Sequence, residues 1–255
     1  VHGRAAPGRT WADTGLTHPV GHIGISGAIL GVMMQRVPEP ELMDDDEQAA
    51  AYAMADFGEV NQGFVDAFRE RFPTLGRGRV LDLGCGPADI PIRLCRALPD
   101  VAVTAVDGAA AMLALGREAI GKAGLDGRID LVETLLPSQV LPPAAFDAVM
   151  SNSLLHHLHH PEVLWRTILE TAAPGAPVYV MDLARPASAE AARALRDKYA
   201  AGAPEVLQRD FLASLHAAFT ADEVRVQLAG VGCGHWDVAR CSDRHLRITG
   251  TVPAR

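Results

Sequence analysis

Two carboxylates, Asp82 and Asp107, stand 107 − 82 = 25 residues apart, each at the end of a short apolar run. Asp82 lies two residues before a glycine turn, Gly84-Cys85-Gly86, and Asp107 is followed by Gly108. Glycine at such a turn lets a ligand approach the backbone with no Cβ in the way. An acid beside the turn repels a pyrophosphate but receives an ammonium group. An acid ending the following strand accepts both hydroxyls of a ribose. Together these features favour a cationic amino-acid cofactor over a dinucleotide.

A second group of reactive side chains follows in Ser151-Asn152-Ser153-Leu154-Leu155-His156-His157-Leu158-His159-His160-Pro161, which holds four of the ten histidines. Imidazole titrates near neutral pH and also ligates metals. Neighbouring residues on one short segment rarely converge tetrahedrally, and no cysteine or acid lies at a matching spacing. No metal is therefore expected. Further on, Met181-Asp182-Leu183-Ala184-Arg185 sets an acid and a base where a strand should end.

The elements that position these residues begin at Arg79. Short apolar runs at Val80–Leu83, Val101–Val106, Ile129–Val132, Ala148–Met150 and Val178–Met181 alternate with amphipathic stretches around Ile90–Leu98, Met112–Ile120 and Val163–Leu169. Runs of this kind suit strands buried on both faces, and their alternation with helices predicts a doubly wound, mostly parallel α/β sheet. Thr220 and Glu223 have capping-box spacing, opening a helix with Val224, Leu228 and Val231 on one stripe. Trp236–Cys241 and Leu246–Thr249 are joined too tightly for anything but an antiparallel hairpin, making seven strands in all.

Ahead of this domain, residues 1 to 34 mix Gly, His and Pro without periodicity, and are expected to form a loosely attached extension. Residues 35 to 75 read as a helical cap, with an acidic first turn at Asp44-Asp45-Asp46-Glu47 and an apolar stripe of Phe64, Val65, Phe68 and Phe72. Within the domain at 76 to 255, residues 187 to 219 read as two helical pieces split by Gly202-Ala203-Pro204, the size of a lid. Tyr199 and Phe211 on that lid, Tyr52 on the cap and Arg185 are the candidate substrate-binding residues.

The chain has 255 residues, 49% hydrophobic, with 23 basic and 31 acidic side chains, so 23 − 31 = −8. That charge repels a nucleic-acid backbone, and no nucleic-acid partner is expected. The apolar run Ile23–Met34 falls short of the roughly 20 residues a spanning helix needs, so no membrane partner is expected either. Four scattered cysteines, none in a CxxC pair, fit a reducing cytoplasm. The sequence does not speak to oligomeric state.

From Arg79 to Gly250 the chain resembles the class I S-adenosylmethionine-dependent methyltransferases. The resemblance implies that Gly84, Cys85 and Gly86 line the methionine moiety, with Asp82 accepting from its ammonium group. It implies that Asp107 and Gly108 meet the ribose and that Met112 packs near the adenine. Thr134 and Leu135 then stand where the family contacts the adenine ring, although many members carry a Gly-Asp pair where this chain has Glu133-Thr134. Asn152 and Ser153 complete the cofactor set. The family commonly places a histidine after the fourth strand, so His156 or His157, with Asp182, becomes the candidate catalytic group. Asn152 is followed by Ser153-Leu154 and not by Pro-Pro and an aromatic residue, which disfavours nucleobase N-methylation.

The expected activity is methyl transfer to an oxygen, sulfur or nitrogen atom of a small-molecule metabolite. The alternatives are a carrier-bound or protein acceptor, or a domain that binds the cofactor without turnover. A nicotinamide oxidoreductase is disfavoured by Asp82 and by the C-terminal hairpin. A valine at Gly84 is expected to block the cofactor and leave the fold intact.

Overall fold

The apolar runs form a single seven-stranded sheet in the computed structural model, which describes residues 34–40 and 57–254. The strands are β1 (Arg77–Leu83), β2 (Asp100–Asp107), β3 (Ile129–Glu133), β4 (Ala148–Asn152), β5 (Pro177–Leu183), β6 (Asp237–Arg240) and β7 (His245–Thr251). Their order is β3-β2-β1-β4-β5-β7-β6. The first five are parallel, and β7 runs antiparallel to both β5 and β6. The chain leaves β1 toward β2 and returns to β4 on its other side. A crevice therefore opens beyond the carboxyl ends of β1 and β4, where folds of this kind hold ligands.

Residue alternation along β1 supplies both halves of the core. Leu81 and Leu83 face a cluster with Val149, Trp165, Ile168, Val224 and Leu228, drawn from α4 (Glu162–Thr171) and α7 (Ala221–Gly230). Val80 faces Phe64, Phe68, Leu94 and Leu113, drawn from α1 (Gly58–Arg71), α2 (Asp89–Ala97) and α3 (Ala110–Ala123). Phe64 meets the Tyr179 ring edge-on at 5.0 Å, locking α1 to β5. Each such fully buried aromatic contributes roughly 1.5–3 kcal/mol of transfer free energy. The capping box of α7 forms as its spacing predicts: Thr220 Oγ1 accepts from the Glu223 N–H at 3.3 Å, and Glu223 Oε2 accepts from the Thr220 N–H at 2.8 Å.

Between β5 and α7 lie α5 (Ala189–Tyr199) and α6 (Glu205–Ala217), with Gly202-Ala203-Pro204 between them. They pack on Leu183 through Ala192, Leu215 and Ala218. At the start of the segment read as a helical cap, ahead of the acidic turn at Asp44, Gln35-Arg36-Val37-Pro38-Glu39-Pro40 runs as a strap without regular structure. Two prolines in three residues remove the donors a helix needs. Met34, placed by the sequence in a loose extension, is docked: its N–H donates to Ala187 O at 3.2 Å and its side chain packs on the Leu183 cluster. Residues 1–33 and 41–56, including Tyr52 and the acidic run Asp44–Glu47, lie outside the described residues. Among the described residues no helix is long and apolar enough to cross a membrane.

Candidate active site

At the end of β1 the backbone turns through left-handed φ values at Gly84 (+76°), Gly86 (+51°) and Ala88 (+63°). The Gly84 and Cys85 N–H groups donate to Val106 O at 2.8 and 2.9 Å, which pins the turn to β2. The two glycines serve different ends. A Cβ on Gly84 would stand 2.8 Å from the Leu154 side chain, whereas one on Gly86 meets nothing within 4 Å. The open space the sequence assigned to the whole turn belongs to Gly86. Gly84 is required by packing and by its φ, so a valine there strains the fold and does not simply block a ligand. Ala88, buried and left-handed, shares a turn that the sequence left to the glycines alone.

Asp107 ends β2 with both oxygens engaged: Oδ2 accepts from the Gly86 N–H at 2.8 Å and Oδ1 from the Ala109 N–H at 2.9 Å. Each oxygen keeps a lone pair toward the crevice. Burial pushes this carboxyl above its ordinary value, and bonds from Ala109, Gly86 and Gly108 partly offset that. Asp82, 2% exposed, has no such help. Burial and then the charge of Asp107 push it up to about 8. A buried acid without a cation stores a penalty that a bound ammonium removes.

Both acids line a cleft of about 1830 Å³, together with Gly84, Cys85, Gly86, Gly108, Met112, Thr134, Leu135, Asn152 and Ser153. Asn152 Oδ1 is buried there without a hydrogen-bond partner, and Ser153 adopts a left-handed φ of +57°. An unsatisfied buried oxygen beside a cavity marks a place for a ligand donor.

The far end of the cleft is built by the turn after β4, a single 3-10 turn at Leu155–His157. His156 is 3% exposed, and its Nδ1 bonds Asp182 Oδ1 at 2.5 Å. Asp182 also accepts from the Leu155 and Leu183 N–H groups, each at 2.7 Å, which fixes its carboxylate. Burial works against charge on His156, but Asp182 and then Glu39 outweigh it and hold the imidazole above its ordinary value. Burial and the neighbouring His156 push His157 down to about 3. The two rings lie 4.3 Å apart, tilted by 34°.

Glu39, from the strap, reaches this pair and was not foreseen. Its Oε1 lies 3.5 Å from His156 Nε2 and 3.5 Å from His157 Nδ1. The strap is held by Arg36, whose guanidinium donates to Ala217 O at 2.6 Å, His156 O at 2.9 Å and Leu158 O at 3.1 Å. Arg36 also lies 4.0 Å over the Phe219 ring. Only the odd composition of Pro38-Glu39-Pro40 hinted at a special segment, and nothing local says what it meets.

Of the other candidates, Tyr199 and Phe211 line the cleft. Tyr199 Oη donates to Asp243 Oδ2 at 2.7 Å, and Arg244, a lining residue the sequence did not single out, stacks 3.5 Å over its ring. Asp182 does not line the cleft and stands behind His156, bonded to its Nδ1. Arg185 is not brought to the cleft: it is 7% exposed and pairs with Glu223 Oε1 and Ala218 O. Its charge is spent on Glu223, the residue that also caps α7.

A family model described as a methyltransferase domain matches residues 80–175. An uncharacterised methyltransferase of Mycobacterium bovis is 32% identical over 121 residues, 48% of this chain and 58% of that protein. A ubiquinone biosynthesis O-methyltransferase of Xylella fastidiosa is 32% identical over 128 residues, 49% of this chain and 50% of that protein. The chain thus spans about half the length of these curated relatives. The crystal structure of an S-adenosylmethionine-dependent methyltransferase from Aquifex aeolicus superposes with a TM-score of 0.60 at 16% identity, covering 82% of this chain and 98% of that one. Residues 80–175 thus match a methyltransferase-domain family, and the fold is shared with S-adenosylmethionine-dependent methyltransferases of known structure. The lining suits S-adenosylmethionine in its chemistry: a buried acid lacking a cation can pair an ammonium group, the glycine backbone at Gly86 leaves room, and the Asn152 oxygen offers an acceptor.

Proposed function

We propose that the protein transfers a methyl group from S-adenosylmethionine to an oxygen, sulfur or nitrogen atom of a small-molecule acceptor. The observation that carries this reading is one cleft with two chemically distinct ends. Asp82, Gly86 and Asp107 form the first, and His156 and His157, approached by Glu39, the second. When bound, the cofactor supplies an electrophilic methyl group on a sulfonium.

The chain's own residues do the rest by holding and orienting. Asp82 receives an ammonium group, and Asp107 receives the ribose hydroxyls while keeping the Gly86 turn in place. Met112, Thr134 and Leu135 bound the adenine, and Asn152 and Ser153 shape the wall between the two ends. Asp182 is a positioning residue that fixes the His156 ring, and His156 and His157, on the cleft wall, face the acceptor atom that must lose a proton. Alignment of donor and acceptor is the main requirement of such a transfer.

A small acceptor is favoured over a macromolecule because α5 and α6 contribute Tyr199 and Phe211 to the lining of the same cleft. The net charge of −8 works against nucleic acid. The O-methyltransferase name of the Xylella relative supports an oxygen acceptor.

Calorimetric titration of the full chain with S-adenosylmethionine and, separately, NADH tests the cofactor. A metabolite screen for radiolabelled methyl transfer then tests the acceptor. Binding of NADH alone, or transfer only to protein or nucleic acid, would overturn the reading.

A further inference from the structure

We propose that Glu39, His156 and His157 bind one divalent transition-metal ion of the zinc class, with its remaining coordination position facing the cleft. The ligand atoms of these three residues all lie within 4.8 Å of one another. Glu39 Oε1 is 3.5 Å from both His156 Nε2 and His157 Nδ1. A direct N–H···O hydrogen bond spans about 2.7–3.2 Å, so both separations are too long for one. Two ligands about 2.0–2.1 Å from a tetrahedral centre stand about 3.4 Å apart, which these distances match.

The hydrogen-bond partners leave these ligand atoms available. His156 Nδ1 is taken by Asp182, which leaves Nε2 as the free ligand atom toward Glu39. A carboxylate behind a ligating histidine is the usual outer partner of such sites, fixing tautomer and ring orientation. Glu39 Oε1 is buried without a hydrogen-bond partner, while Oε2 accepts from Ser214 at 3.3 Å. His157 Nδ1 has only a long contact besides, 3.4 Å to Pro40 O. The strap itself is held in register by Arg36 and by His159 Nε2, 2.9 Å from Glu39 O. Among the described residues, this is the one group of three or more metal-ligating side chains so arranged.

Two imidazoles and one carboxylate suit zinc-class ions over calcium or magnesium, which prefer oxygen ligands. Three protein ligands leave the fourth position to a water or an acceptor atom. His156 and His157 line the cleft, so that position opens toward the bound acceptor. The role of the ion rests on the methyl-transfer reading; its binding does not. With the ion in place the three lone pairs are spent on it, and an acceptor hydroxyl or thiol bound to the ion gives up its proton to water more readily. Spacing concealed the acid because Glu39 and His156 are 156 − 39 = 117 residues apart.

The test is titration of chelator-treated full-length protein with Co²⁺, without S-adenosylmethionine, followed by its visible absorption. One Co²⁺ per chain is expected, with the strong visible bands of a four- or five-coordinate ion, displaced by Zn²⁺. Glu39→Gln and His157→Asn should each weaken the affinity at least about tenfold, and Asp182→Asn about 10- to 100-fold. His160→Asn, at an exposed position outside the site, should change nothing. Circular dichroism and S-adenosylmethionine titration of each variant separate ligand loss from misfolding. No Co²⁺ uptake, or equal affinity in wild type, Glu39→Gln and His157→Asn, overturns the proposal. Cofactor binding without Co²⁺ uptake defeats the ion alone, and Co²⁺ uptake without cofactor binding defeats the methyl-transfer reading alone.

Discussion

Gly86 donates its backbone N–H to Asp107 Oδ2 at 2.8 Å, so the acid that ends β2 holds the turn that ends β1. One carboxylate shapes the glycine turn and, in the proposed function, also receives the ribose. Asp107→Asn should therefore weaken S-adenosylmethionine binding by roughly 2–4 kcal/mol, about 30- to 1000-fold in Kd. It should also lower the Tm of the ligand-free protein, because an amide NH2 would face the N–H of Gly86 or Ala109. Calorimetry and thermal denaturation read the two losses, and unchanged affinity would refute the ribose assignment.

Asp82 makes cofactor affinity depend on pH. Its carboxyl sits at about 8 in the ligand-free protein against 3.8 ordinarily. Between these values the folded chain binds a proton that the unfolded chain does not. This group's stability contribution therefore falls as pH rises from about 4 to 8. An ammonium partner needs the carboxylate, and an α-amino group itself titrates near 7.7–8.0. Affinity should therefore peak near pH 8 and fall about tenfold per unit on the acid side, with proton release on binding. Titrations in buffers of differing protonation enthalpy measure this, and Asp82→Asn should flatten the acid limb. A level wild-type profile from pH 6 to 8 would contradict it.

Gly84 is held by its φ of +76° and by Leu154, 2.8 Å from where a Cβ would stand. Gly84→Ala should lose on the order of 1–3 kcal/mol in urea unfolding, from left-handed strain plus the contact. Adding Leu154→Gly, which removes the Cβ that makes the 2.8 Å contact, should recover the contact part, so the two changes should be non-additive. Additive losses would remove Leu154 from the account.

The buried Arg185 and its Glu223 partner should behave as a structural pair. Glu223 is 41% exposed, so solvent screens the interaction, and Arg185→Met should cost only about 1–2 kcal/mol of stability. Cofactor affinity and acceptor KM should stay at wild-type values. A raised KM with an unshifted urea midpoint would return Arg185 to the substrate site.

The sheet was legible because buried parallel strands write themselves as short apolar runs, and the hairpin because Ser242-Asp243-Arg244 leaves room for nothing longer. Asp82, Gly86 and Asp107 were legible because a turn and the next strand end lie close in sequence. Contacts between distant segments were not. Glu39 meets His156 across most of the sheet, and a proline-flanked acid carries no period that announces its partner. Arg185 was misplaced for a related reason. Its position after β5 puts it near the crevice, but the side chain turns to Glu223, whose capping role was visible while its second bond was not.

The strap also constrains the order in which the molecule is assembled. Residues 34–40 leave the ribosome before every one of their partners, since Ala187, His156, Leu158, Ala217 and Phe219 all follow in the chain. They have nothing to dock on until the carboxyl half of the sheet and the helix before Phe219 exist. Such long-range contacts repay their loop-closure entropy late in folding. The segment made early thus waits for partners made late, and Glu39 can meet His156 only once they are in place.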